Sequence, residues 1–164
     1  MGGVGLKQRR ISIKQFKYEN LIKQIKNEFK IDYYGDHGIN HWRRVYRNTQ
    51  LLSSHYKIES EVFELFSLLH DSKREDEFED KHHGKRASIF VQKLLDENAI
   101  SLRDKDADRL IYACANHTYS DKGDPLFSDR VVQICFDSDR LDIGRVGFEV
   151  DAKYLATDFA KDLV

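Results

Sequence analysis

Apolar residues recur along most of this chain at steps of three and four, the period of an amphipathic helix. From Ile13 to Phe29 the inward set is Phe16, Leu21, Ile22, Ile25 and Phe29. The pattern breaks between Ile31 and Gly38, where Gly35 and Gly38 flank Asp36-His37, as turn residues do. A second helix is predicted from Ile39 to about His55, with Trp42, Val45, Thr49 and Leu52 on one stripe. A third runs from Ser60 or Glu61 to His70. It is apolar on most sides (Val62, Phe63, Leu65, Phe66, Leu68, Leu69), which predicts a central position. Acidic residues at its start suit the helix dipole.

Residues 72–83 are a charged loop, long enough to serve a site. A fourth helix follows Gly84, with Ala87, Phe90, Val91, Leu94 and Leu95 inward. A fifth spans Asp104 to His117 on the stripe Ala107, Leu110, Ile111 and Cys114. The loop Tyr119–Phe127 holds Gly123 and the only proline, Pro125. A sixth helix begins near Ser128 or Asp129 and passes through Val131, Val132, Ile134 and Cys135 toward Leu141. Asp151 to Leu163 reads as a short closing helix. No two-residue alternation persists, so the predicted class is all-α, a compact multi-helix bundle.

Composition adds bounds rather than chemistry. A chain of 164 residues, 40% apolar and 12% aromatic, is expected to fold as one domain with its own core. We expect a flexible basic leader over residues 1–12 and a single domain over 13–164. The formal net charge of -1 gives no global field toward nucleic acid or membrane. Lys7, Arg9, Arg10, Lys14, Lys17, Lys23, Lys26 and Lys30 make the start of the chain basic. That segment reads as a solvated face or as an attractor for an anionic partner. Cys114 and Cys135 are too few for a disulfide framework and read as buried thiols. No signal peptide and no membrane-length apolar run is visible, so the expected location is cytoplasmic.

The candidate chemistry centres on Phe66-Ser67-Leu68-Leu69-His70-Asp71, where an apolar run ends in two metal-ligating side chains. On its own the doublet also reads as an ordinary helix end. His41 lies early in the second helix, beside the inward Trp42. Asp139 falls on the apolar stripe of the sixth helix, seven and four residues beyond Val132 and Cys135. A carboxylate facing a core is costly unless paired or metal-bound. Asp137 points to a different side. His117 continues the stripe of the fifth helix, and His82 and His83 precede the fourth. Each has a plainer reading: a satisfied core histidine, an Asp139–Arg140 salt bridge, or surface charge at Lys73, Arg74 and Arg86.

Taken together, these elements resemble the HD-domain superfamily of metal-dependent phosphohydrolases. The likeness runs from about Asp36 to Gly147 and rests on His41-Trp42-Arg43-Arg44-Val45, on His70-Asp71 and on Ser138-Asp139-Arg140-Leu141. It is closer still to a bacterial subgroup of small HD proteins, through His37–Trp42, His83–Ala87, Asp137–Asp142 and Tyr154–Thr157. The resemblance implies packed helices and a metal held by His41, His70, Asp71 and Asp139. Imidazole and carboxylate suit Mn, Fe, Co, Ni, Zn or Mg. It further implies phosphate-binding cations, for which Lys73 and Arg74 come first, then Arg44, one turn from His41, and Arg86. Glu75 and Asp76 are the candidate acid or base. His83 and His117 would hold a second metal or touch the phosphate directly. His37 and Arg140 are expected to support the ligands from behind.

The implied function is hydrolysis of a phosphate ester of a nucleotide or related small molecule, as a phosphomonoesterase or phosphodiesterase. A non-catalytic nucleotide- or metal-binding module, an HD-type nuclease and a di-iron oxygenase stay open beside it. The basic N-terminal segment is the only support for a nucleic-acid partner. No membrane partner is expected, and a homodimer is left open.

Overall fold

The computed structural model describes residues 16–164, so the expected leader lies outside the described residues. Seven α-helices are present there and no strand. They are α1 (Glu19–Glu28), α2 (Ile39–Tyr56), α3 (Val62–Leu69), α4 (His83–Asp96), α5 (Asp104–Asn116), α6 (Arg130–Arg140) and α7 (Asp158–Lys161). Short 3-10 turns occupy Pro125–Ser128, Ile143–Val146 and Ala152–Tyr154. Among the described residues, no helix is long and apolar enough to cross a membrane.

α3 is the central helix, as its uniform apolarity predicts: all eight of its residues are buried. It packs on α2, α5 and α6. Trp42, Val45, Leu52, Leu65, Phe66, Leu68, Leu69, Leu110, Ile134 and Phe136 have no or almost no exposed surface. The one charge on α3, Glu64, accepts from the Lys17 amide and the Tyr46 hydroxyl, so its burial is not left uncompensated. Both cysteines are buried and unbridged.

Local chemistry sets the helix ends that matter for the site. Gly38 caps α2 with its Cα pressed onto the Tyr33 carbonyl, where any Cβ would collide. Ile39 N–H donates to that carbonyl at 2.9 Å. α2 stops at Lys57, in the left-handed region at φ 55°, where Ile58 N–H returns to the Ser53 carbonyl in a Schellman-type close. α4 begins at His83, slightly earlier than the sequence pattern suggests. Gly84 lets its first turn lie against α5, since a Cβ there would meet the Cys114 and Ala115 carbonyl oxygens at 2.7 and 2.9 Å. The Asp129 side chain caps α6, accepting from Val131 and Val132 N–H.

The C-terminal segment departs from the single closing helix expected. Ala152–Tyr154 forms a 3-10 turn, Leu155 is extended at ψ 141°, and α7 starts only after Thr157. The cause is Asp137, whose buried carboxylate accepts from Ala156 N–H, Thr157 N–H and the Thr157 hydroxyl. Those donors are available only if the backbone leaves the helical conformation there.

Candidate metal centre

Helix ends from five elements meet at one place. The start of α2 brings His41, the end of α3 brings His70 and Asp71, and the start of α4 brings His83. His117 follows α5, and Asp139 lies in the last turn of α6. His41 and His70 have no exposed surface, and Asp71, His83 and His117 are 1%, 4% and 4% exposed.

The orientation of each imidazole is fixed from behind. His41 Nδ1–H donates to Asp142 Oδ2 at 2.7 Å, and His70 Nδ1–H to the Phe66 carbonyl at 2.9 Å. His117 Nδ1–H donates to the Cys114 carbonyl at 2.8 Å, and His83 Nδ1–H to the Asp80 carbonyl. All four partners only accept, so each neutral ring carries its lone pair on Nε2. Those lone pairs are aimed at one another. His41 Nε2 and His70 Nε2 are 3.0 Å apart, and His83 Nε2 and His117 Nε2 are 2.8 Å apart. Two lone pairs cannot hydrogen-bond, so both contacts are repulsive unless a cation lies between the nitrogens.

Asp71 stands between the pairs. Its Oδ2 lies 3.5 and 3.6 Å from His41 and His70 Nε2, and its Oδ1 lies 3.3 and 3.5 Å from His83 and His117 Nε2. Asp139 Oδ1 adds a further oxygen at 3.2 Å from His41 Nε2 and 3.6 Å from His70 Nε2. It is buried without any hydrogen-bond partner, a cost that metal ligation would remove. His41, His70 and Asp71 form one group with metal-binding spacing, and Asp71, His83 and His117 form another. Donor type, tautomer and the orphaned oxygen all fit a divalent ion.

No family model matches the chain, and no curated protein matches it. Among solved structures, it is similar to a predicted HD superfamily hydrolase from an uncultured Thermotogales bacterium, at 21% identity and a TM-score of 0.63. The match covers 88% of this chain and 80% of the other. The chain has the HD-domain fold.

Around the buried cluster, the expected supporting residues divide sharply. His37 is brought in: Nδ1 lies 3.1 Å from Asp71 Oδ2 and Nε2 3.1 Å from the Glu77 carbonyl, tying the loop after the doublet to the doublet itself. Arg74 is brought in too, with Nη1 at 3.7 Å from Asp71 Oδ1 and 3.5 Å from His83 Nε2. Arg44 reaches the cluster only through Asp142, to which its Nε donates at 2.7 Å. Lys73 is directed elsewhere: its ammonium pairs with Glu28 and lies over the Phe90 ring. Arg86 donates to the Lys73 carbonyl and pairs with Asp80. Glu75 is exposed and paired with Lys30. The Asp76 carboxylate is taken by the Phe78 and Glu79 N–H groups. Arg140 donates to Ser120. Among the described residues, none of these five side chains has a hydrogen bond or ion pair to His41, His70, Asp71, His83, His117 or Asp139.

Two residues at the centre were not singled out from sequence. Asp142 holds His41, as described. Arg145 lies with Nη2 at 3.6 Å from Asp139 Oδ1, and its side chain is 8% exposed. Asp142→Ala is expected to weaken metal binding roughly 10- to 100-fold by freeing the His41 ring. Competition against a chelator would measure it; unchanged affinity would mean that Asp142 serves Arg44 alone.

Burial works to raise the Asp71 pKa, but His70, His117, His37 and His41 together hold it well below the usual carboxylate range. Burial is also opposed at Asp139, by His41, His70 and Arg145. For His83, burial and the neighbouring His117 push the pKa down to about 4, against a partial pull upward from Asp71. The unfolded chain therefore takes up a proton at His83 near pH 6.5, while the folded chain resists until about pH 4. Stability of the metal-free protein must fall as pH drops through that window, by about 3 kcal/mol from this group. The depressed Asp71 and Asp139 act only lower, below their ordinary 3.8. Thermal melts of EDTA-treated protein between pH 7 and 4.5 would show the decline, and His83→Asn should flatten it.

Proposed function

We propose that this HD domain is a metal-dependent hydrolase of phosphate esters, with two ion positions bridged by Asp71. The observation that carries the reading is the convergence of paired Nε2 lone pairs on the two oxygens of one buried carboxylate. His41, His70, Asp71 and Asp139 would hold one ion, and Asp71, His83 and His117 the other. A divalent ion bound there supplies a Lewis acid for a phosphoryl oxygen and lowers the pKa of water.

The chain's own charges favour an anionic substrate. Asp71, Asp139 and Asp142 are matched at the cluster by Arg44, Arg74 and Arg145. Any added divalent charge therefore leaves the site net positive. Arg74, buried beside Asp71 and His83, is placed to offset charge on phosphoryl oxygens.

Two exposed aromatics on the loops beside the cluster support a nucleotide as the ester. Phe78, 95% exposed, follows Glu77, whose carbonyl accepts from His37. Tyr119, 65% exposed, follows Thr118, whose hydroxyl lies 3.4 Å from His83 Nε2. Each lies next to a residue that reaches the cluster and would give a base a ring to stack on.

Purified protein loaded in turn with Mn, Mg, Co, Ni, Zn and Fe should be assayed on mono- and dinucleotides and generic phosphate mono- and diesters, with metal content measured in parallel. Metal-dependent turnover, lost in His70→Ala, is expected. A fully loaded protein that turns over no ester would overturn the reading.

A further inference from the structure

We propose that Arg145 binds a phosphoryl oxygen of the substrate on the Asp139 side of the cluster, through the fork formed by its Nε and Nη2. This rests on the phosphoester reading above. The guanidinium is 8% exposed on its side chain, yet most of its donors are unused. Nη1–H donates to the Asp142 carbonyl at 3.0 Å. Nη2 lies 3.6 Å from Asp139 Oδ1, beyond hydrogen-bond reach. Nε is buried without a hydrogen-bond partner. Nε and Nη2 form one edge of the planar guanidinium, the edge that takes an anion with two parallel N–H···O bonds.

The other guanidiniums at the cluster have committed their Nε. Arg44 Nε donates to Asp142, and Arg74 Nε donates to the Asp76 carbonyl. Asp139 does not take this edge, since Nη2 stands 3.6 Å from its Oδ1. Instead, Asp139 Oδ1 and Arg145 Nε are each buried and unpartnered. One points to a cation, the other to an anion. Arg145 is also held in place by the main chain, through the Nη1–H bond to the Asp142 carbonyl. It sits in the Ile143–Val146 turn directly after Asp142, the residue that fixes His41.

The test is inorganic phosphate binding to the Mn-loaded protein by titration calorimetry, for wild type, Arg145→Gln and Arg145→Lys. Thermal melts and Mn uptake would be recorded alongside. Removing a charged bidentate contact should weaken phosphate binding roughly 10- to 100-fold. Arg145→Lys, which keeps the charge and loses the fork, should fall between. Mn uptake should be retained, and millimolar guanidinium should partly restore phosphate affinity to Arg145→Gln. If Arg145→Gln does not fold, a correctly melting Arg145→Lys with weakened phosphate binding still supports the assignment. Phosphate bound equally by wild type and both variants would overturn it and leave the hydrolase reading intact. A wild type that neither binds phosphate nor turns over any ester would remove that reading, and this assignment with it.

Discussion

On the proposed phosphoesterase reading, Asp71→Asn is expected to lose metal at both positions and to lower turnover by on the order of 10³ or more, because ions bound there would supply several kcal/mol of transition-state stabilisation. The reason is geometric. Each oxygen of Asp71 faces a different histidine pair, within 3.6 Å in every case. An asparagine keeps one oxygen, loses the charge, and presents an N–H₂ group to the other pair. Donation to those Nε2 lone pairs would occupy the atoms that ligate. Metal analysis per chain separates a bridging role from a one-sided one. His117→Ala should lose one equivalent and keep the other, while Asp71→Asn should lose both. An Asp71→Asn protein that retains one full equivalent would show that the two histidine pairs work independently.

The same residue shows what could be read from sequence and what could not. His41 and Asp139 stood out because each sits on a regular helix whose period fixes the direction of the side chain, and the doublet because an apolar helix ends at it. His117 was visible because it ends the stripe of α5, and His83 by its place at the start of α4. The cations were harder. After Asp71 the chain turns tightly, with Ser72 N–H returning to Leu69 and Arg74 N–H to Asp71. Residues adjacent in sequence therefore diverge. Arg74 comes back over Asp71, while Lys73 swings out to Glu28 and Phe90. Nearness to the doublet could not separate them.

Asp142 left one faint signal, since it follows Asp139 by three residues and so lies about one turn further on. Arg145 left none. It belongs to a 3-10 turn with no period from which a direction can be read. Glu75 and Asp76 are directed away from the cluster for a related reason, because loop carboxylates bond to whatever donors the loop supplies. Here those are Lys30 and the N–H groups of Phe78 and Glu79.

Asp137→Ala is expected to destabilise the fold by about 3–5 kcal/mol, the cost of stripping the charged partner from a buried network. For a domain of this size that is a fall of roughly 10–15 °C in Tm. Asp137 has no exposed surface. It accepts from Ala156 N–H at 2.7 Å, Thr157 N–H at 2.8 Å and the Thr157 hydroxyl at 2.7 Å. Alanine would leave these donors without a partner and open a void beside them. The loss would spread, because this anchor seats Leu155 and Ala160, 4% and 0% exposed, over the core. The hydroxyl that Asp137 holds is also the one that accepts from Ala160 N–H at the start of α7. Asp139, two residues on, should behave oppositely. Its Oδ1 has no hydrogen-bond partner in the fold, so Asp139→Asn should cost the fold much less than Asp137→Ala while losing metal affinity. Melting curves and metal uptake on the two variants test the contrast directly. Equal loss of stability in both would mean that Asp139 also holds the fold together, which would weaken its claim as a ligand kept free for metal.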